Sequence, residues 1–206
     1  MRKSIRGVEV FAVIFLVALM LSVTFGIPRT YQTNKVVVSF GDSLTRGYGL
    51  PPGKNFVTFL SEVTKIPIIN SGKTGDTTSD ALIRLNQDAL DYRPDVVLVL
   101  LGGNDFLAGY SEEVVRANLQ VIIRKIKQSG SKIVLVGVYN GISPQYEKVF
   151  EKLARDEKAD GYVPNVLSGI LFRKDLLYDT LHPNERGHEI IADRILPVLE
   201  KVLREE

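Results

Sequence analysis

The sequence predicts an α/β domain in which a parallel sheet is covered by helices. From Lys35 onward, short β-branched runs alternate with longer amphipathic stretches. Four of those runs are apolar without interruption, as strands buried on both faces are, where a half-exposed strand would alternate. The first three each lead into a glycine-rich polar loop, and all three loops fall on the carboxyl edge where doubly wound sheets bind ligands.

Taken in order, the first strand is Val36 to Phe40 and runs into Gly41-Asp42-Ser43. Phe56 to Val63 has the apolar spacing of a helix, and Ile66 to Asn70 is the second strand, followed by Ser71-Gly72-Lys73-Thr74-Gly75-Asp76-Thr77. Ala81 to Leu90 is the next helix, Asp95 to Leu101 the third strand, and Gly102-Gly103-Asn104-Asp105 its loop. Glu112 to Gln128 and Gln145 to Lys158 are helices on either side of a fourth strand, Lys132 to Tyr139, and a weak fifth strand lies near Tyr162 and Val163. Asn184 is a good N-cap for a final helix along Ile190, Ile191, Ile195, Leu199, Val202 and Leu203, which Pro197 is expected to kink. His188 is expected on its exposed face.

With 206 residues and no low-complexity linker or internal repeat, the chain fits one domain with a substantial core. The formal charge of +2 comes from the start of the chain: Arg2, Lys3 and Arg6 stand there against Glu9, which leaves 23 basic and 23 acidic residues in the rest. A balanced body with singly scattered basic residues lacks the footprint of a nucleic-acid binder. The absence of cysteine excludes disulfides, thiolate metal sites and a thiol nucleophile.

After the basic start, Val10 to Ile27 is free of charge, and its densest apolar part ends at Leu21. Residues 1–28 therefore read either as a signal peptide or as an N-terminal membrane anchor: the dense part has signal-like length, and the whole reaches the roughly 18 residues at which a spanning helix becomes plausible. Small residues at Ser22, Thr24 and Gly26 offer weak cleavage sites without an A-x-A pattern. Either way the positive end stays cytoplasmic and the domain, residues 35–206, is exported. If the leader is uncleaved, it is the membrane contact.

Cleavage of an ester or thioester by serine needs a base for the hydroxyl proton, an acid that orients the base, and donors for the tetrahedral oxyanion. Ser43 is the candidate nucleophile, His182 the base and Asp179 the orienting acid, Asp179 standing three residues before His182 within reach of its ring. Taken singly, Ser43 also reads as a helix cap, His182 as a loop histidine ahead of Pro183, and Asn104 as an Asx-turn residue. The oxyanion donors would be the backbone amides of Ser43 and Gly75 and the side-chain amide of Asn104.

Other chemistries fit poorly. Ser71-Gly72-Lys73-Thr74 ends like a phosphate-binding loop, but Pro67 stands where that motif requires its first glycine. Thr45 occupies the last position of the G-x-S-x-G elbow, so the α/β-hydrolase nucleophile turn is absent. His182 and His188 are the only imidazoles, too few for a histidine-rich metal centre, and no cofactor is expected.

The blocks Gly41-Asp42-Ser43-Leu44, Asn70 through Thr77, Gly102-Gly103-Asn104-Asp105 and Asp179-Thr180-Leu181-His182-Pro183-Asn184 resemble, in order and position, those of the SGNH or GDSL hydrolases. The resemblance spans nearly the whole domain and is greatest to the bacterial thioesterase I, arylesterase and lysophospholipase branch. It implies a flavodoxin-like three-layer α/β/α sandwich with a five-stranded parallel sheet of order 2-1-3-4-5. It implies hydrolysis of small or medium acyl esters, aryl esters, thioesters or lysophospholipids through an acyl-enzyme, with Gly75, ahead of Gly72, as the second oxyanion donor; a monomer is expected. A carbohydrate O-deacetylase of the same family and a noncatalytic binding module are the alternatives. Asn140-Gly141-Ile142-Ser143-Pro144 looks shorter than the loop that covers long-chain substrates in such thioesterases. The apolar and basic stretch Leu171 to Tyr178 either lines an acyl crevice or packs on the last helix, and packing is the expectation.

Overall fold

The computed structural model describes residues 34–138 and 144–205. The leader, Tyr139 and the Asn140–Ser143 stretch lie outside the described residues. Five parallel strands, β1 (Val37–Gly41), β2 (Ile68–Gly72), β3 (Val96–Leu100), β4 (Lys132–Val136) and β5 (Gly161–Val163), pair in the order 2-1-3-4-5. The fold is the expected α/β sheet flanked by helices. Val37 is in register with both Ile68 and Val96, so β1 and β3 run side by side through the centre. All five residues of β1 and of β3 are buried, which accounts for the wholly apolar run of β3 and for β1 being apolar but for Ser39 and Gly41.

The covering helices are α2 (Phe56–Thr64), α3 (Thr78–Asp88), α5 (Glu112–Gln128), α6 (Pro144–Asp156) and α7 (Glu185–Arg204). α2 packs on α7, while α3, α5 and α6 pack in a row. Two short helices, α1 (Ser43–Arg46) and α4 (Gly103–Leu107), sit directly after β1 and β3. At four and five residues they are too short to show an apolar period, which is why the sequence reads them as loops. Among the described residues no helix is long and apolar enough to cross a membrane.

Element boundaries moved for identifiable reasons. β2 begins at Ile68 and not at Ile66, because Pro67 has no N–H to give a ladder. α3 begins three residues early because Thr77 and Asp80 form a capping box: the Thr77 hydroxyl accepts from Asp80 N and the Asp80 carboxylate accepts from Thr77 N. β4 ends at Val136, where its short partner β5 ends. Asn184 caps α7 as expected, its Oδ1 accepting from Gly187 N at 3.1 Å.

His188 contradicts its expected exposure. It is 1% exposed, its Nδ1 accepts the Phe56 N–H at 3.2 Å, and its ring stacks on Phe56. The reason is helical spacing, since His188 lies on the same face of α7 as Ile191, Ile195, Leu199 and Val202, all buried against the rest of the domain. There it supplies an acceptor to the N-terminus of α2. Burial first, and then the positive charge His182 can carry, pull its pKa down to about 4, so it is neutral in the folded protein at neutral pH.

Candidate active site

Strand order reverses between β1 and β3, and the crevice beyond their carboxyl ends is where this architecture places ligands. α1 presents Ser43 there. Asp42 is the N-cap of α1, its Oδ1 accepting from Leu44 N at 2.9 Å. The capping role that Ser43 might have filled is thus taken by its neighbour, and the Ser43 hydroxyl faces elsewhere: its Oγ lies 3.0 Å from His182 Nε2.

His182 arrives from the other end of the chain. Its Nδ1 lies 2.8 Å from Asp179 Oδ2, while Asp179 Oδ1 accepts the backbone N–H groups of Leu181 (2.8 Å) and His182 (2.7 Å). One carboxylate therefore holds both the backbone turn and the ring. Partial burial pushes the Asp179 pKa up, but those amide donors and the adjacent imidazole outweigh it and bring it down to about 2. The Tyr48 ring packs against His182 with centroids 4.6 Å apart, and Tyr178 meets Tyr48 edge-on. Sequence reasoning missed Tyr48, which carries no chemical signature of its own.

Asn104 is no Asx-turn. Its Nδ2 donates to the Asp76 carbonyl at 2.8 Å, tying the loop after β3 to the loop after β2, and its amide has a second N–H besides. The two glycines of the β2 loop differ sharply. Gly72 donates its N–H to Asn70 Oδ1 at 3.0 Å, and a Cβ on it would stand 2.1 Å from Arg46 N, so α1 packs directly on its backbone. Gly75 has φ +86° and nothing within 4 Å of a would-be Cβ.

Two polar clusters hold these loops. The Arg84 guanidinium donates to the carbonyls of Gly41 (2.9 Å) and Ser71 (3.1 Å), pairs with the Asp76 and Asp88 carboxylates, and lies 4.3 Å over the Phe40 ring. Fully buried Asp105 accepts from Thr78 N (2.8 Å) and Thr78 Oγ1 (2.5 Å), with Asn118 Nδ2 donating to the same hydroxyl. The sequence held one clue to Arg84, its place at the border of the buried face of its helix, three residues after Ala81.

Asp42, Ser43, Asn104 and His182 border one crevice of about 580 Å³ including its open mouth. Its remaining lining is mostly apolar, with Leu44, Phe106, Val138, Leu167, Leu171 and Leu181 among its residues. The Leu171–Tyr178 stretch thus divides: Leu176 is buried and its short 3-10 turn packs on α7 as expected, but Leu171 lines the crevice, contrary to the expectation of packing alone. Burial above all, with help from the Asp76 and Asp105 charges, raises the Asp42 pKa to about 7 despite its bond from Leu44 N. Among the described residues, no cluster of three or more His, Asp or Glu side chains could hold a metal ion.

Comparison with known proteins bears on this geometry. The model of the GDSL-like Lipase/Acylhydrolase family matches residues 39–190. The chain belongs to that family. It is an esterase-type hydrolase of the SGNH kind. It is 30% identical to an arylesterase of Vibrio mimicus, over 90% of this chain and 98% of that one. To the thioesterase 1/protease 1/lysophospholipase L1 of Escherichia coli K12 it is 25% identical, covering 81% and 84% of the two chains. The crystal structure of TesA superposes with a TM-score of 0.76 at 25% identity, over 82% of this chain and 99% of that one.

Proposed function

We propose that this GDSL hydrolase cleaves small to medium acyl esters, including aryl esters, acyl thioesters and lysophospholipids, through an acyl-enzyme on Ser43. The observation that carries the reading is the continuous relay from Asp179 through His182 to Ser43, at 2.8 and 3.0 Å, opening on an apolar crevice. Ser43 Oγ attacks the acyl carbon while its proton passes to His182 Nε2. Asp179 keeps the other ring proton on Nδ1 and offsets the imidazolium charge. The tetrahedral intermediate then collapses, the leaving oxygen or sulfur takes the proton from Nε2, and a water activated by the same nitrogen releases the acid.

The oxyanion donors are Ser43 N, Gly75 N and Asn104 Nδ2. Gly75 is favoured over Gly72 because the Gly72 N–H is occupied by Asn70. Asn104 is favoured because the Asp76 carbonyl fixes its orientation before substrate arrives, which is what gives such donors their effect. The apolar lining suits an acyl chain better than a sugar, which would call for more polar groups along the walls.

The protein is further proposed to be exported, on the strength of Arg2, Lys3 and Arg6 ahead of the uncharged Val10–Ile27 stretch. Cell fractionation of the full-length gene product against a leader deletion tests this. Cytoplasmic recovery of both overturns it.

Turnover of p-nitrophenyl acetate and butyrate by residues 32–206 tests the catalytic reading. The expected result is hydrolysis that Ser43→Ala reduces by about 10⁴-fold or more. Equal rates for wild type and variant contradict it.

A further inference from the structure

Two cavities of the molecule share a wall. The crevice at Ser43 and a separate surface cleft lined by Gly109, Tyr110, Ser111, Glu112 and Glu113 are both bounded by Phe106 and Tyr146. The two rings meet edge to face, with centroids 5.3 Å apart and planes at 82°. Tyr146 is 5% exposed, and its hydroxyl donates to the Tyr110 carbonyl at 3.1 Å, which fixes the ring from the cleft side. We propose that the Phe106–Tyr146 pair is the partition that sets the longest acyl chain this enzyme accepts, by closing the crevice off from the outer cleft.

The inference rests on the reading that the crevice holds the acyl chain. The two rings come from different elements, α4 and α6, and are held edge to face. Such an aromatic pair is more rigid than aliphatic side chains in the same place and yields less to a methylene pushed against it. Burial, then the Asp105 and Glu112 charges, push the Tyr146 hydroxyl up to about 12, so the wall is uncharged at any working pH. Beyond it, the cleft carries Glu112 and Glu113, a polar exit where a chain end would meet water.

Chain-length profiles decide the matter. With p-nitrophenyl esters from acetate to dodecanoate, wild-type kcat/KM should rise by up to ~4-fold per methylene while the crevice fills, and then break downward. In Phe106→Ala and Tyr146→Ala the break should move at least two carbons longer, with decanoate gaining at least tenfold relative to butyrate. Phe106→Leu and Tyr146→Leu carry the same test with a smaller shift if the alanine variants do not fold. An unchanged break point in variants that still hydrolyse acetate and butyrate overturns the partition and leaves the catalytic reading intact. Absence of short-chain turnover in the wild type instead removes the catalytic reading itself.

Discussion

Asn104 is the residue whose role departs furthest from its local context. An asparagine after a strand ordinarily closes a turn, yet here its amide reaches across to the Asp76 carbonyl and stands ready in the crevice. If it donates to the oxyanion, Asn104→Ala should lower kcat by about 10²- to 10³-fold with little change in KM, because the interaction forms only in the transition state. Steady-state kinetics on p-nitrophenyl butyrate check this, and an effect confined to KM would contradict it. The candidate site was legible in the sequence because Ser43 and Asn104 stand in glycine-rich loops straight after β1 and β3, and His182 stands three residues after Asp179, just ahead of the cap of α7. Asp42 was not. Its influence comes from burial beside Asp76 and Asp105, and burial depends on packing that no local run of letters displays.

At the scale of elements, the candidate site is three loops: Arg84 from α3 ties the loops after β1 and β2, and Asn104 and Asp105 tie the loop after β3 to the Asp76 carbonyl and to Thr78. Asp76 is only 3% exposed at its side chain, so removing the guanidinium would leave a buried carboxylate with only the exposed Lys73 ammonium, 3.9 Å away, beside it. Arg84→Met should therefore cost about 3–5 kcal/mol, read from urea unfolding, and a cost below about 1 kcal/mol would show that the pairing is dispensable. The two glycines of the β2 loop make a sharper contrast. Gly72→Ala would force α1 off the strand, so loss of both stability and activity is expected, whereas Gly75→Ala meets no atom and strains only its own backbone, by about 1–2 kcal/mol. Thermal melts of the two variants check the order, and equal losses would contradict it. The five strands and five longer helices were readable because their periods extend over enough residues. α1 and α4 were not, being fixed by a cap and by tertiary contacts within a single turn.

For the molecule as a whole, two buried titrating groups act on stability in opposite directions. His188 has its pKa lowered to about 4, so between pH 6.5 and 4 the unfolded chain binds the extra proton and stability falls as pH falls. Asp42 has its pKa raised to about 7, so across the same window the folded chain binds the extra proton and stability rises as pH falls. Wild-type stability should be nearly flat from pH 4.5 to 6.5. Asp42→Asn, which keeps a cap acceptor for Leu44 N, should lose stability toward acid, and His188→Gln should gain it, each by about 3 kcal/mol at most over the window. Urea midpoints at the two pH values test the pair, and parallel behaviour of the two variants would contradict it. The His188 stripe could have been read from α7 spacing. The opposition arises because burial disfavours the charged form of both an acid and a base, and burial is a property of the folded chain.

The central claim is that Ser43 becomes covalently acylated, and intact-protein mass followed by peptide mapping after treatment with an alkyl phosphonate ester tests it most directly. The account predicts one adduct per chain, located on the Ser43 peptide, formed in step with loss of esterase activity and absent from Ser43→Ala. Complete inactivation with the adduct on another residue, or an equal adduct on Ser43→Ala, would contradict it.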